Sequence, residues 1–157
     1  MSTSIFPSLR CSVKSAEAIY AARSMLRAFA TQVGFEREVI EELVIVVSEL
    51  ATNILKYGER GTIEFSVIER DTGLRGISII AEDMTPPFDL IGSLRDGYDA
   101  RGKLDAATFL NRGGIGAGLG AISRLSDGIE LVPQEKGKRL VVHRFLGRPR
   151  RGSCPGF

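Results

Sequence analysis

From Lys14 onward the apolar positions Ala16, Ile19, Tyr20, Leu26, Phe29, Ala30 and Val33 recur at the spacing of one helix face. Gly34 follows them and predicts the stop, because glycine takes the left-handed backbone of a helix C-terminus without steric penalty. A second helix is expected from about Glu36 to Tyr57, closed by Gly58. Its apolar residues Val39, Ile40, Leu43, Val44, Val46, Val47, Leu50 and Ile54 are too dense for a surface stripe, so it should be largely buried. The period then drops to two. In "GTIEFSVIER" Ile63, Phe65 and Val67 share a face, and "LRGISIIAED" follows across a hairpin turn at "DTG". "GIELVP" and "KRLVVHRFL" make a second pair across Glu135-Lys136-Gly137, and Ile5 to Val13 offers a first strand. Pro7 near its start marks an edge, since proline cannot donate to a ladder. Between the two pairs, Met84 to Gly113 has no period, and Leu119 to Leu125 reads as a short helix. Irregular stretches of that length in compact domains are commonly functional or mobile. Together these elements predict an α+β fold, a two-layer sandwich whose mixed, mostly antiparallel sheet is covered on one face by helices.

Composition changes this picture little. The 157 residues suit one domain with a real core, and 43% apolar with 25% charged residues is ordinary for a globular chain. The expected division is one domain over 1–147 and a basic, flexible tail over 148–157 carrying Arg148, Arg150 and Arg151. A net charge of +2 argues for neither nucleic acid nor an acidic membrane as partner. Cys11 and Cys154 show no metal spacing and no disulfide framework. The N-terminus lacks the basic head and apolar run of a secretory signal. No stretch approaches the roughly 20 apolar residues of a membrane span. A cytoplasmic protein is expected.

Five of the eight residues from Gly113 to Gly120 are glycine, in "GGIGAGLGAISRLSD". Glycine packs cores poorly and weakens helix interiors, so such a run serves either as a connector or as backbone that approaches a phosphate. No lysine follows, which excludes the P-loop pattern. Gly116, Gly118 and Ala121 match G-x-G-x-x-A, but "RGKLDAATFLN" before them is not the strand a dinucleotide fold requires. Ile115, Leu119, Ile122 and Leu125 run at helical spacing straight out of the glycines, which disfavours a plain linker. A glycine-rich turn into a helix N-terminus presents free amides at a positive dipole end, where an anion such as phosphate fits.

The second helix holds polar groups suited to such a site. In "VSELATNILKYG", Glu49 and Asn53 are four apart and project from one face. They are either a helix edge meeting solvent or functional. An asparagine oxygen suits Mg²⁺, which relies on substrate phosphates and water for its remaining ligands, and a glutamate can serve as general base. Lys56, one turn further on, can reach a phosphate or extend into water.

"SELATNILKYG" resembles the N box of the Bergerat-fold (GHKL) ATP-binding superfamily, and "GGIGAGLGAISRLSD" resembles its glycine-rich G2 box. Within it, the chain is most similar to the small serine/threonine kinases of bacterial partner switching, the RsbT and RsbW type, roughly from Ser12 to Leu146. "RDGYDA" and "GAGLGAISRLSD" are particularly RsbT-like. The resemblance implies the Bergerat fold, with ATP and Mg²⁺ as cofactors. It implies that Asn53 ligates Mg²⁺, that Glu49 is the catalytic carboxylate, and that Asp83 bonds the adenine amino group. Gly114, Gly116, Gly118 and Leu119 would wrap the phosphates, with Lys56 nearby, and Arg112 would steady the γ-phosphate charge unless it is a surface arginine. Three positions depart from the family pattern: Thr85 and Pro87 stand where glycines are usual, and Lys138 stands where a threonine is often found near the adenine. "PPFD" is similar to a variant in RsbW-type relatives, which lessens the departure; the three positions imply an altered adenine end, with the phosphate and metal groups intact.

The resemblance implies a Mg·ATP-dependent protein-serine/threonine kinase that phosphorylates a small STAS-domain antagonist. It would thereby control binding to a sigma factor or another output enzyme, and a homodimer is compatible with it. The alternative is a non-catalytic, anti-sigma-like binding module with a weakened nucleotide site. A detached histidine-kinase domain lacks a phospho-acceptor helix, and His143 in "RLVVHRFL" reads as a structural or surface residue.

Overall fold

The structure is a computed structural model that describes residues 7–57, 60–87, 98–99, 102–103 and 115–147. The chain runs β1 (Leu9–Val13), α1 (Ala16–Val33), α2 (Arg37–Tyr57), β2 (Gly61–Glu69), β3 (Arg75–Asp83), β4 (Tyr98–Asp99), β5 (Gly102–Lys103), α3 (Ile115–Arg124), β6 (Gly128–Pro133) and β7 (Lys138–Phe145). Five strands form one sheet in the order β1-β2-β3-β7-β6, while β4 and β5 pair separately. Every described ladder is antiparallel.

Register decides which face is dry. Ile63, Phe65 and Val67 of β2 lie opposite Ala81, Ile79 and Ile77 of β3, and Leu140 and Val142 of β7 lie opposite Ala81 and Ile79. Since side chains alternate along a strand, one face is apolar across all three strands, and the helices cover it. Leu26 and Phe29 of α1, Leu43, Val46, Val47 and Leu50 of α2, and Leu119 and Ile122 of α3 are buried there. The Phe29 and Phe65 rings meet in a tilted contact with centroids 6.2 Å apart. The other sheet face carries polar side chains from β1 to β7 around Ile80 and Val141. There Glu82 accepts two hydrogen bonds from Arg139, at 3.0 and 2.9 Å, while Arg10 donates to Thr62.

Gly34 ends α1 in the left-handed conformation, φ 110°, with its N–H donating to the Ala30 and Thr31 carbonyls. Arg144 anchors the far end of the sheet. Its alternation places it on the helix side, 4% exposed, where Nη1 donates to the Leu125 carbonyl at 2.7 Å and to Glu42 at 2.9 Å. Asp127 then accepts from the Phe145 amide at 2.7 Å and donates its own to the His143 carbonyl at 2.8 Å. The end of α3, the start of β6 and the end of β7 are therefore locked together, with α2 joined through Glu42.

The two-layer sandwich expected from the periodicities is present. Three boundaries differ. β1 begins at Leu9 rather than Ile5, and Ile5 itself lies outside the described residues. The aperiodic stretch contains the two-residue strands β4 and β5. The third helix starts at Ile115 rather than Leu119, so Gly116, Gly118 and Gly120 lie inside it. Each helical glycine costs about 1 kcal/mol relative to alanine, and burial of Leu119 and Ile122 offsets that cost. Among the described residues no helix is long and apolar enough to cross a membrane.

Phe65 is fully buried at the centre of the sheet. Phe65→Ala should lower unfolding stability by about 3–5 kcal/mol, the range for emptying a large core site, as read by denaturant titration.

Candidate functional site

Burial orients α2. Val46, Val47, Leu50, Ala51 and Ile54 are all within the core, which leaves Glu49 and Asn53 on the strip between core and solvent, both half-buried. The two are one turn apart on that strip. Lys56 is exposed in the last turn.

What makes the strip a site is α3. A Cβ at Gly118 would lie 2.6 Å from Glu49 Oε2 and 3.5 Å from its carboxyl carbon. The carboxylate therefore occupies the space that any other residue at 118 would need. Two segments 69 positions apart, the polar strip of α2 and the glycine run, are brought into contact at the start of α3. In the i→i−4 pattern the amides of Ile115, Gly116 and Ala117 open α3 without an intrahelical acceptor. Leu119 stands one turn further in, and its side chain is a core group, 1% exposed. Gly114 and Arg112 lie outside the described residues.

A second cluster closes β3. Asp83 is the last residue of that strand and lies opposite Lys138, the first of β7. The two side chains are only 11% and 13% exposed, and Lys138 Nζ lies 2.9 and 3.1 Å from the two carboxylate oxygens. The Thr85 amide donates to Asp83 Oδ1 at 2.8 Å, the Thr85 hydroxyl donates to the same oxygen, and Lys138 donates to the Thr85 hydroxyl. Asp83 thus makes a local turn common for a strand-end aspartate, with a nearly buried ion pair added to it. Gly137, φ 95°, crosses so close to the Asp83 carbonyl and Met84 Cα that no side chain fits there. Pro86 and Pro87 follow, both exposed.

The residues fit a nucleotide's phosphates. Amides without an intrahelical acceptor, a positive dipole end and a neighbouring carboxylate converge where Gly118 leaves room. Among the described residues no three His, Cys, Asp or Glu side chains gather around a metal position. A cation at the Asn53 amide oxygen would thus take its other ligands from phosphate and water, as Mg²⁺ commonly does.

The periodicities did not expose everything that holds the site. Arg144 reads as one more polar residue in "VVHRF", and only its alternation with Val142 hints that it faces the helices. Asp127 carries a fairer signal, an aspartate between a helix and a strand, where its carboxylate commonly caps backbone amides. His143 lies on the polar sheet face, edge-on to Phe145 at 6.4 Å, and takes no part in the site. Cys11 on β1 is half-buried, and burial pushes its thiol above the usual range, as for a packing residue.

A helix-covered antiparallel sheet with a glycine-opened helix beside a polar strip defines a nucleotide-binding sandwich. The model of the histidine kinase-like ATPase domain matches residues 13–144, and the chain belongs to that family. The serine/threonine-protein kinase RsbT of Bacillus subtilis (strain 168) is 35% identical over 114 residues, covering 72% of this chain and 77% of RsbT. Two solved structures share the fold. The SiaB–SiaC complex from Pseudomonas aeruginosa aligns with TM-score 0.54 at 19% identity, covering 88% of this chain and 89% of that one. The RsbU and RsbW domains of a Mycobacterium tuberculosis protein align with TM-score 0.55 at 18% identity, covering 92% of this chain but 34% of theirs.

Gly118→Ala separates site geometry from stability. Helix propensity favours alanine by about 1 kcal/mol, and the clashing atom is the mobile end of a glutamate. The variant should melt within a few degrees of the parent while phosphoryl transfer falls about tenfold or more, because a displaced carboxylate is misaligned. Unchanged transfer would mean that the Glu49 position tolerates the shift.

Proposed function

We propose that the chain is an ATP-dependent protein-serine/threonine kinase of partner switching, which phosphorylates a hydroxyl on a small STAS-domain antagonist. The observation that carries this reading is the Glu49 carboxylate seated against Gly118 at the opening of α3. It combines a candidate base and a candidate phosphate cradle in one place. Kinship with RsbT, a serine/threonine-protein kinase, supports the same class.

In this reading ATP, when bound, supplies the phosphoryl group. Gly114, Gly116 and Gly118 let the backbone approach the phosphates, and Leu119 fixes the helix from the core side. Asn53 holds Mg²⁺, and Lys56 extends toward the phosphate charge. Glu49 would accept the proton of the acceptor hydroxyl as that oxygen takes the γ-phosphoryl group and the bond from phosphorus to ADP breaks. Arg112 steadies the charge in transfer. Asp83 anchors the base. A single domain over 1–147 carries all of these residues, and the basic segment 148–157 lies outside it.

The phosphate added to the antagonist brings about −1.5 to −2 charges, enough to disfavour an apolar interface. One partner is then released, and a sigma factor or output enzyme becomes available. The non-catalytic alternative rests on Thr85, Pro87 and Lys138. These three lie at the base end and leave Glu49, Asn53 and the α3 opening untouched.

Calorimetric titration with ATP should show binding that strengthens when Mg²⁺ is added. Glu49→Ala should reduce phosphoryl transfer by about 10²-fold or more with nucleotide affinity within a few-fold of the parent. Asn53→Asp should alter the Mg²⁺ dependence first. Full transfer by Glu49→Ala would remove Glu49 from the mechanism, and no binding with or without the partner would favour the binding module.

A further inference from the structure

The contact between Glu49 and Gly118 has a counterpart at the other end of the same two helices. Leu125 continues α3 by one residue, since its amide donates to the Ala121 carbonyl at 3.0 Å. Its own carbonyl is among the last of the helix, which have no intrahelical donor. Arg144 Nη1 donates to that carbonyl at 2.7 Å and to Glu42 Oε2 at 2.9 Å. Glu42 precedes Glu49 on α2 by seven positions, and Leu125 follows Gly118 along α3 by seven. Residues at that interval share a helix face and lie about 10 Å apart along the axis. The helices therefore run side by side in opposite directions, touching at Glu49 and Gly118 and bridged through Arg144 about two turns away.

The bridge is built from a fixed point. Arg144 lies opposite Ile77 in the β3–β7 register. Asp127 holds the backbone on both sides of it, through the His143 carbonyl and the Phe145 amide. Gly76 approaches the Arg144 carbonyl so closely that no side chain fits at 76. The arginine side chain is 4% exposed, and among the described residues its Nε has no hydrogen-bond partner. A buried donor left unpaired costs stability, and an apolar pair in place of a buried ion pair is often as stable or more so. Stability alone therefore does not account for an arginine here, whereas position does.

We propose that Arg144 is a positioning residue for phosphoryl transfer: it sets the spacing of α3 from α2 and so keeps the Glu49 carboxylate against the opening of α3. This rests on the reading of Glu49 as the base in that transfer. Without the bridge the far ends of the two helices part, and because each helix is stiff the near ends turn with them. The carboxylate then loses its line to the reacting oxygen, a misplacement to which transfer is sensitive. Nucleotide binding depends less on the bridge, since the amides that open α3 belong to α3 itself.

The probe is ATP labelled at the γ-phosphate, given with Mg²⁺ to the full chain. Label passed to STAS-domain proteins, or released to water in their absence, gives the rate at saturating ATP, counted per nucleotide-binding site from calorimetry. Arg144→Met should lower that rate by about tenfold or more, with ATP affinity within a few-fold of the parent. Glu42 reaches solvent, so this variant leaves no buried charge unpaired. If it nevertheless does not fold, Glu42→Leu combined with Arg144→Met removes the same bridge with an apolar pair. Arg144→Lys, whose ammonium can serve both acceptors, should recover most of the rate. Arg144→Met combined with Gly118→Ala should lose less than the product of the two single losses, because both displace the same carboxylate. A parental rate in the folded methionine variants, a lysine variant no better than methionine, or losses that multiply overturn the proposal. Loss of affinity and rate together overturns it too, since Arg144 then only holds the fold. Glu49→Ala tells this apart from the underlying reading. Full transfer by Glu49→Ala, or no transfer by the parent, removes the base and the role of Arg144 with it. An inactive Glu49→Ala beside a fully active Arg144→Met leaves the base in place and removes only the role of Arg144.

Discussion

The constraint on which the candidate site depends is steric and electrostatic at once: the Glu49 carboxylate fills the space beside Gly118. A helix would be better built with alanine at that position by about 1 kcal/mol, so the sequence forgoes propensity for proximity. That proximity depends on two other facts. The apolar residues of α2 from Val46 to Ile54 hold its rotation, so the polar strip cannot turn away. Leu119 and Ile122 hold α3 against the same core, so its glycines cannot withdraw. The contact between two polar surfaces is thus maintained by burial on the opposite sides of both helices. Burial of this kind is strong and non-directional, whereas the carboxylate's own contacts are weak and directional.

β7 ties the rest together because it is fastened at both ends. Its first residue, Lys138, pairs with Asp83, and its last turn of sequence is held by Arg144 to α2 and by Asp127 to the start of β6. The first uses two nearly buried charges, and the second a buried Arg144 whose partner Glu42 reaches solvent. Breaking one partner of such a pair typically costs about 3–5 kcal/mol, more than the pair itself contributes relative to an apolar replacement. Their value lies in position. They leave β7 one register against β3, and that register aligns the Asp83–Lys138 end with the apolar face on which α2 and α3 lie.

The sequence makes the scaffold legible where a single period runs long enough. α1 and α2 follow from helical spacing and Gly34, and β2 and β3 from alternation around "DTG". Glu49 and Asn53 stand out because they are polar on a helix otherwise too apolar for water. The start of α3 was hidden because propensity and packing disagree there. Three glycines argue for loop, while Leu119 and Ile122, which only the folded core can weigh, argue for helix. Two-residue strands such as β4 and β5 are too short to show any period. The Asp83–Lys138 pair spans 55 positions. Lys138 is visible in the sequence as an unusual residue, but its partner is set by a strand register that no local pattern contains.

The departures from the family pattern are not scattered. Lys138 and Thr85 converge on Asp83, and Pro87 follows within four residues. The opposite end, with Glu49, Asn53 and the glycines, keeps the residues proposed for phosphate chemistry. This division has a physical basis. Triphosphate and cation are common to all nucleoside triphosphates, so groups that handle them cannot change without loss of transfer. The base takes no part in the reaction, and its contacts contribute affinity and discrimination only. A chain of this family can therefore vary at the end proposed to meet the base while the groups proposed for transfer stay as they are. The nearly buried Asp83–Lys138 pair is also held by Thr85, so this end of β3 and β7 is fixed by its own contacts.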